Sequence, residues 1–102
     1  MPFQDISYTY MAMEFEYDPA KSASNREKHG IDFEEAKLLW LDEARLIVPT
    51  GWVEEERLLA IGRIGAKVWT AVFSYRSERV RIISVRRARA EETLRYEENF
   101  RR

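Results

Sequence analysis

Lys67-Val68-Trp69-Thr70-Ala71-Val72-Phe73-Ser74-Tyr75, then Arg76-Ser77-Glu78, then Arg79-Val80-Arg81-Ile82-Ile83-Ser84-Val85-Arg86 is the stretch that decides the fold. Trp69, Ala71, Phe73 and Tyr75 recur with period two, which puts them on one face of a strand that packs against helices. The connection Arg76-Ser77-Glu78 is too short for a crossover, so the second strand must run back antiparallel to the first. Upstream, Arg57 to Ile64 reads as a further strand joined at Gly65-Ala66, and the three make a meander.

The N-terminal half leads into this meander. Met13 to Tyr17 alternates apolar and acidic residues, as a half-buried strand does. Asp18-Pro19 is a helix start, with a side chain that accepts from free backbone N–H groups and a proline suited to the first helical position. That helix should run to about His29 and stop at Gly30. Asp32 with Glu35 forms a capping-box pair for a second helix, on which Phe33, Ala36 and Trp40 share a face. A strand at Ala44 to Val48, ended by Pro49 and Gly51, precedes the meander. A last helix, from about Ala88 to Asn99, has Leu94 as its clearest apolar anchor. The expected class is α+β, with an N-terminal strand and two helices, an antiparallel β-meander and a C-terminal helix. The helices should cover one face of the sheet and leave the other to solvent, substrate or a partner.

With 102 residues, 45% of them hydrophobic, the chain can close one core and no more. Residues 1–12 show neither periodicity nor turn signals and read as an N-terminal extension, with a single domain over 13–102. The absence of cysteine excludes disulfides, thiolate nucleophiles and cysteine-based metal sites, and fits a reducing, cytoplasmic setting. No apolar run approaches the roughly 18 residues a membrane span needs. Glycine-rich phosphate loops, HExxH and carboxylates at metal-ligand spacing are absent as motifs, so neither metal nor cofactor is expected. The net charge of −1 hides an asymmetry. Residues 1–56 hold five Lys/Arg against thirteen Asp/Glu, and residues 57–102 hold twelve against five. A basic face on one part of the fold follows, suited to an anionic ligand or a complementary partner.

Arginines dominate the last strand. Guanidinium groups grip phosphate bidentately and stay charged, so this strand can hold an RNA backbone and stabilise a phosphorane-like transition state. Strict alternation puts Arg81 with Ile83 on one face, and Ser84 and Arg86 with Val80 and Ile82 on the other. The structural alternative pairs these arginines with Glu54, Glu55, Glu56 and the acidic helices. His29, the single histidine, sits beside Lys28 at a helix C-terminus, where the helix dipole favours positive charge, and is either a general acid or a capping residue. Lys21, Asn25 and Lys28 share a helical stripe that can face a nucleic acid. Glu54 to Glu56 offer a general base or a solvated turn, and Tyr96 a proton donor or a core residue.

Taken together, the residues resemble a family. Phe15-Glu16-Tyr17-Asp18-Pro19-Ala20-Lys21, Asn25 and Lys28-His29-Gly30-Ile31-Asp32-Phe33-Glu34-Glu35-Ala36 are similar to the opening signature of BrnT toxins. Glu56-Arg57, Ile61-Gly62 and Arg81-Ile82-Ile83-Ser84-Val85-Arg86-Arg87-Ala88, with Glu92 and Tyr96, resemble the family's second half. The departures are the N-terminal extension and Val85, where alanine is commoner. The resemblance implies a RelE-like fold and metal-independent RNA cleavage. It implies neutralisation by a BrnA-type antitoxin, whose ribbon-helix-helix part is the route to operator DNA, and it allows a hetero-tetramer with that antitoxin. Carried onto this chain, it suggests Lys28, His29, Glu56, Arg57, Arg81, Ser84 and Arg86 as the site. In that picture a ribose 2′-hydroxyl attacks its neighbouring phosphate, with Glu56 or His29 as base and Arg81 and Arg86 stabilising the charge. Lys21, Asn25, Lys28, Arg57, Ser84 and Arg87 would contact RNA. A non-catalytic binding module and an inactive relic of a toxin are the alternatives.

Overall fold

The computed structural model describes residues 13–50 and 56–101, so the proposed extension over 1–12 and two of the three consecutive glutamates, Glu54 and Glu55, lie outside the described residues. The fold is α+β. Strand β1 (Phe15–Glu16) leads to helix α1 (Pro19–His29), a short α2 (Phe33–Ala36) and a 3-10 segment over Lys37–Leu41. Strands β2 (Leu46–Pro49), β3 (Leu58–Ile64), β4 (Lys67–Arg76) and β5 (Arg79–Arg87) follow, and α3 (Ala90–Phe100) comes last. The sheet order is β1-β5-β4-β3-β2, antiparallel except that β1 lies parallel to β5.

Local chemistry explains the boundaries. Asp18 accepts from the Ala20 N–H at 2.8 Å, and Gly30, at φ 79°, closes α1 with its N–H on the Arg26 carbonyl. Asp32 and Glu35 exchange bonds in both directions, as the capping box requires. The second helix is shorter than its sequence pattern suggests, since after Ala36 the backbone tightens into the 3-10 segment. That segment turns Leu39 and Trp40 into the core, where Trp40 meets Phe73 edge-on at 5.2 Å.

The register of β4 against β5 corrects the alternation expected for the arginine strand. Val72 pairs with Ser84 but Phe73 pairs with Ile82, which leaves Ile83 as an extra residue in β5. Cross-strand partners share a face, so Val80, Ile82 and Val85 join Trp69, Ala71 and Phe73 against α1, α2 and the 3-10 segment. Arg81, Ser84 and Arg86 all fall on the opposite face, with Ser74, Val72 and Thr70. Without the extra residue, strict alternation from Val80 would drive Ser84 and Arg86 into the apolar layer, at a cost of several kcal/mol for an unpaired charge.

A second correction concerns coverage. Helix α3 packs across the face opposite α1, so both faces carry helices. Its buried residue Tyr96 joins Ile61 and Val68, with Leu46 and Val48 packed alongside. The anchor of α3 is therefore Tyr96, and Leu94 is 59% exposed. Helix α3 covers one end of its face and leaves the rest open.

Two polar side chains finish the sheet where the flanking strands stop. Beyond β1, Asn25 acts as a substitute strand for β5: its Nδ2 donates to the Val85 carbonyl at 2.9 Å and its Oδ1 accepts the Val85 N–H at 3.2 Å. The same Nδ2 donates to the Ile31 carbonyl at 2.8 Å, fixing the turn after α1. Before β2 begins, the Asp42 carboxylate accepts the Arg63 N–H of β3 at 2.8 Å, the Ala44 N–H and the Tyr96 hydroxyl at 2.6 Å. Gly62 permits this approach, because a Cβ there would lie 3.2 Å from Leu39 and 3.3 Å from Asp42.

Replacing Asn25 by Ala strands three buried backbone groups and should cost on the order of 3 kcal/mol in urea unfolding, whereas Leu94→Ala should stay within about 0.5 kcal/mol. Equal losses for the two variants would contradict both the bridging role of Asn25 and the outward position of Leu94 on α3.

Candidate functional site

The open part of the α3 face carries two neighbouring recesses. The larger, of about 570 Å³, has Leu59, Ile61 and Val72 beneath it, and Arg57, Arg86 and the start of α3 around it. The smaller, of about 410 Å³, is lined by Arg57, Arg81, Arg76, Ser74, Glu56 and Lys21 among others. Arg57, one residue before β3, borders both.

Several of the sequence-derived candidates thus meet. Glu56, Arg57, Arg81 and Arg86 line the recesses, Ser84 shares their face by register, and Lys21 reaches the margin from α1. Others go elsewhere. Lys28 and His29, in the last turn of α1, are exposed and line neither recess. Asn25, from the same helical stripe, is buried and its amide is used inside the fold. Arg87 points to the other face, where its guanidinium lies 5.5 Å from the Trp69 ring.

Both central arginines are ion-paired and yet reach the recesses. Arg86 holds Glu92 of α3 in a two-pronged contact at 2.8 and 3.0 Å. Glu92 also accepts from the Thr70 hydroxyl at 3.0 Å and from the Arg89 N–H at 2.8 Å. The Arg86 guanidinium holds the Glu92 carboxyl at about 2, well below its ordinary 4.5, with the Arg89 and Thr70 bonds helping against the opposing effect of burial. The same bond raises the pKa of Arg86. One further Arg86 bond, from Nη1 to the Arg87 carbonyl at 3.3 Å, leaves Nε–H and one Nη2–H of its five donors unused among the described residues.

Among the described residues Arg81 gives one bond, from Nη1 to Glu16 Oε2 at 3.0 Å. Glu16 is also 3.7 Å from Arg76 and 3.8 Å from Arg79, and Arg79 pairs with Glu14 at 2.9 Å. Three guanidinium groups share two carboxylates here, and the smaller recess is lined by Lys21, Arg57, Arg76 and Arg81 against one carboxylate, Glu56. Among the described residues no three His, Cys, Asp or Glu side chains are grouped as metal ligands, and no helix is long and apolar enough to cross a membrane.

A family described as "Ribonuclease toxin, BrnT, of type II toxin-antitoxin system" matches residues 17–92. The chain belongs to the BrnT toxin family. No curated protein matches it. The BrnT match runs from Tyr17 to Glu92 and so takes in α1, the whole meander and the first turn of α3. Arg57, Arg81, Arg86 and Glu92 lie within it, while Arg95 and Tyr96 lie outside. Membership in a type II toxin family implies an antitoxin as partner.

Sequence reasoning missed Arg76, Arg89, Glu91 and Arg95 as liners of this face. Thr70 between Trp69 and Ala71 and Ser74 between Phe73 and Tyr75, polar residues within an apolar strand, were the signals that something polar sits over β4.

Because the Glu92 carboxyl titrates lower in the folded chain than its ordinary value, the pair's stabilisation is complete above about pH 4.5 and is lost as the pH falls from there toward about 2. Over that window the wild type should lose on the order of 3 kcal/mol that Glu92→Gln does not. Urea midpoints measured against pH for both proteins check this, and parallel curves would contradict the pairing.

Proposed function

We propose that this chain is a metal-independent endoribonuclease of the cytoplasm that arrests growth by cutting RNA on the open α3 face. We further propose that a BrnA-like ribbon-helix-helix antitoxin neutralises it and makes the only contact with operator DNA. The observation that carries this reading is the extra residue in β5, which puts Arg81, Ser84 and Arg86 on one accessible face beside Arg57 and Glu56.

The chemistry needs only side chains. Glu56, exposed at the rim of the smaller recess, takes the proton of a ribose 2′-hydroxyl as that oxygen attacks the adjacent phosphorus. The bond to the 5′-oxygen of the next nucleotide breaks and that oxygen takes a proton from water, leaving a 2′,3′-cyclic phosphate and a 5′-hydroxyl. Arg57 and Arg81 hold the phosphate and oppose the charge that grows on it. Arg86, held by Glu92, adds its remaining donors at a fixed position. The required 2′-hydroxyl makes RNA, not DNA, the substrate.

The ion pairs Arg81–Glu16 and Arg86–Glu92 favour a second reading, in which the face only binds nucleic acid or the antitoxin. Induced expression in a bacterial host, with RNA ends mapped and the antitoxin supplied or withheld, separates the two. We expect growth arrest and new RNA ends that the antitoxin abolishes. Arg81→Ala should lower cleavage by purified protein by about a hundredfold or more while antitoxin binding persists. His29→Ala should stay within about threefold of wild type, since loss of a group outside the machinery removes no transition-state stabilisation. Chelation with EDTA should not reduce the rate. Absence of cleavage by the wild type would leave the binding module.

A further inference from the structure

The larger recess has a chemistry that phosphate binding does not account for. Its floor of Leu59, Ile61 and Val72 is apolar, and at about 570 Å³ it is far larger than a phosphate needs. That volume lies within the roughly 300–1,000 Å³ typical of sites that take an organic ligand. Arg86 and Glu92 neutralise each other at its inner wall. The rim adds Arg89, Glu91 and Arg95, all exposed. Among the described residues, none of these three side chains makes an ion pair or hydrogen bond with another side chain. Glu91 and Arg95 stand one turn apart on α3 and so share a stripe.

We infer that this recess is a nucleobase pocket, in which Glu91 and Arg95 discriminate between bases. An apolar floor suits the flat face of a base. The edges of bases carry donors and acceptors together, and a rim that offers a carboxylate beside guanidinium groups can pair with both kinds. A phosphate alone could pair with the rim arginines but would leave the apolar floor of Leu59 and Val72 uncovered. Arg57 borders both recesses, so a base seated here belongs to a nucleotide next to the phosphate held by Arg57 and Arg81. The inference deepens the RNA-cleaving reading and rests on it for its biological meaning, although base binding itself needs no turnover.

The test uses the purified full chain and backbone amide shifts in NMR. It is titrated with each of the four ribonucleoside 3′-monophosphates, with ribose 5-phosphate, and with inorganic pyrophosphate. At least one nucleotide should bind about tenfold more tightly than ribose 5-phosphate. Arg95→Ala and Glu91→Gln, at exposed positions where the spectrum will report an intact fold, should change the order of the four nucleotides and leave ribose 5-phosphate affinity unchanged. Nucleotides that bind no better than ribose 5-phosphate, or an order that survives both substitutions, would overturn the pocket. So would affinities that simply follow negative charge, with pyrophosphate tightest, and that result would point to an acidic polypeptide as occupant. A protein that sorts bases but cuts no RNA keeps the pocket and loses the cleavage reading. One that cuts RNA without sorting bases does the reverse.

Discussion

A β-strand that must bury Val80, Ile82 and Val85 against helices cannot keep a uniform period of two, because the third of these is out of step with the first two. The extra residue Ile83 resolves the mismatch. It lets three apolar side chains reach the core and returns Ser84 and Arg86 to the side of Arg81, where water and α3 can satisfy them. The main core, the basic face and the attachment of α3 through Arg86 and Glu92 all depend on this one irregularity. Were the strand regular, the fold would have to choose between a buried guanidinium and an exposed valine, and both choices cost free energy.

The rest of the architecture protects that arrangement. A two-residue β1 leaves most of the outer edge of β5 without a neighbouring strand, and an open edge invites slippage. Asn25 supplies the missing donor and acceptor at Val85, two residues beyond the extra one, and so holds the register where it has just shifted. Asp42 does the corresponding work at β3, and there it also joins the 3-10 segment's exit to Tyr96. Burial and the bond to Asp42 both raise the Tyr96 hydroxyl's pKa, which suits a hydrogen-bonding tie between layers rather than a group that exchanges protons.

Much of this was legible in the sequence. The caps at Asp18, Gly30 and Asp32, the hairpin connections and the inward positions Trp69, Ala71 and Phe73 of β4 follow from local rules that tertiary contacts had no reason to override, whereas Tyr75, expected on the same packed face, is 61% exposed near the strand's end. The strand faces beyond Ile83 were not legible, because period-two reasoning assumes an unbroken ladder. The doublet Ile82-Ile83 followed by Ser84 is the trace such a shift leaves. Leu94 misled for a related reason: on a helix whose inward positions are Glu92 and Tyr96, polarity alone does not mark the buried side. Among the site candidates, those on the sheet were drawn together by register, which sequence hides, while Lys28 and His29 were placed by a helix whose outer face looks much the same from either end.

Asn25 also shows how close the fold sits to an isosteric trap. Its amide nitrogen faces two carbonyl oxygens, and only a group that donates can stand there. Exchange of that nitrogen for oxygen, the single-atom change that separates Asn from Asp, keeps shape and volume but turns two attractions into repulsions in a space too dry to screen them. Chemical ageing of this one side chain would therefore reach the sheet's register, and through it the arginine face, without altering any residue that touches a ligand.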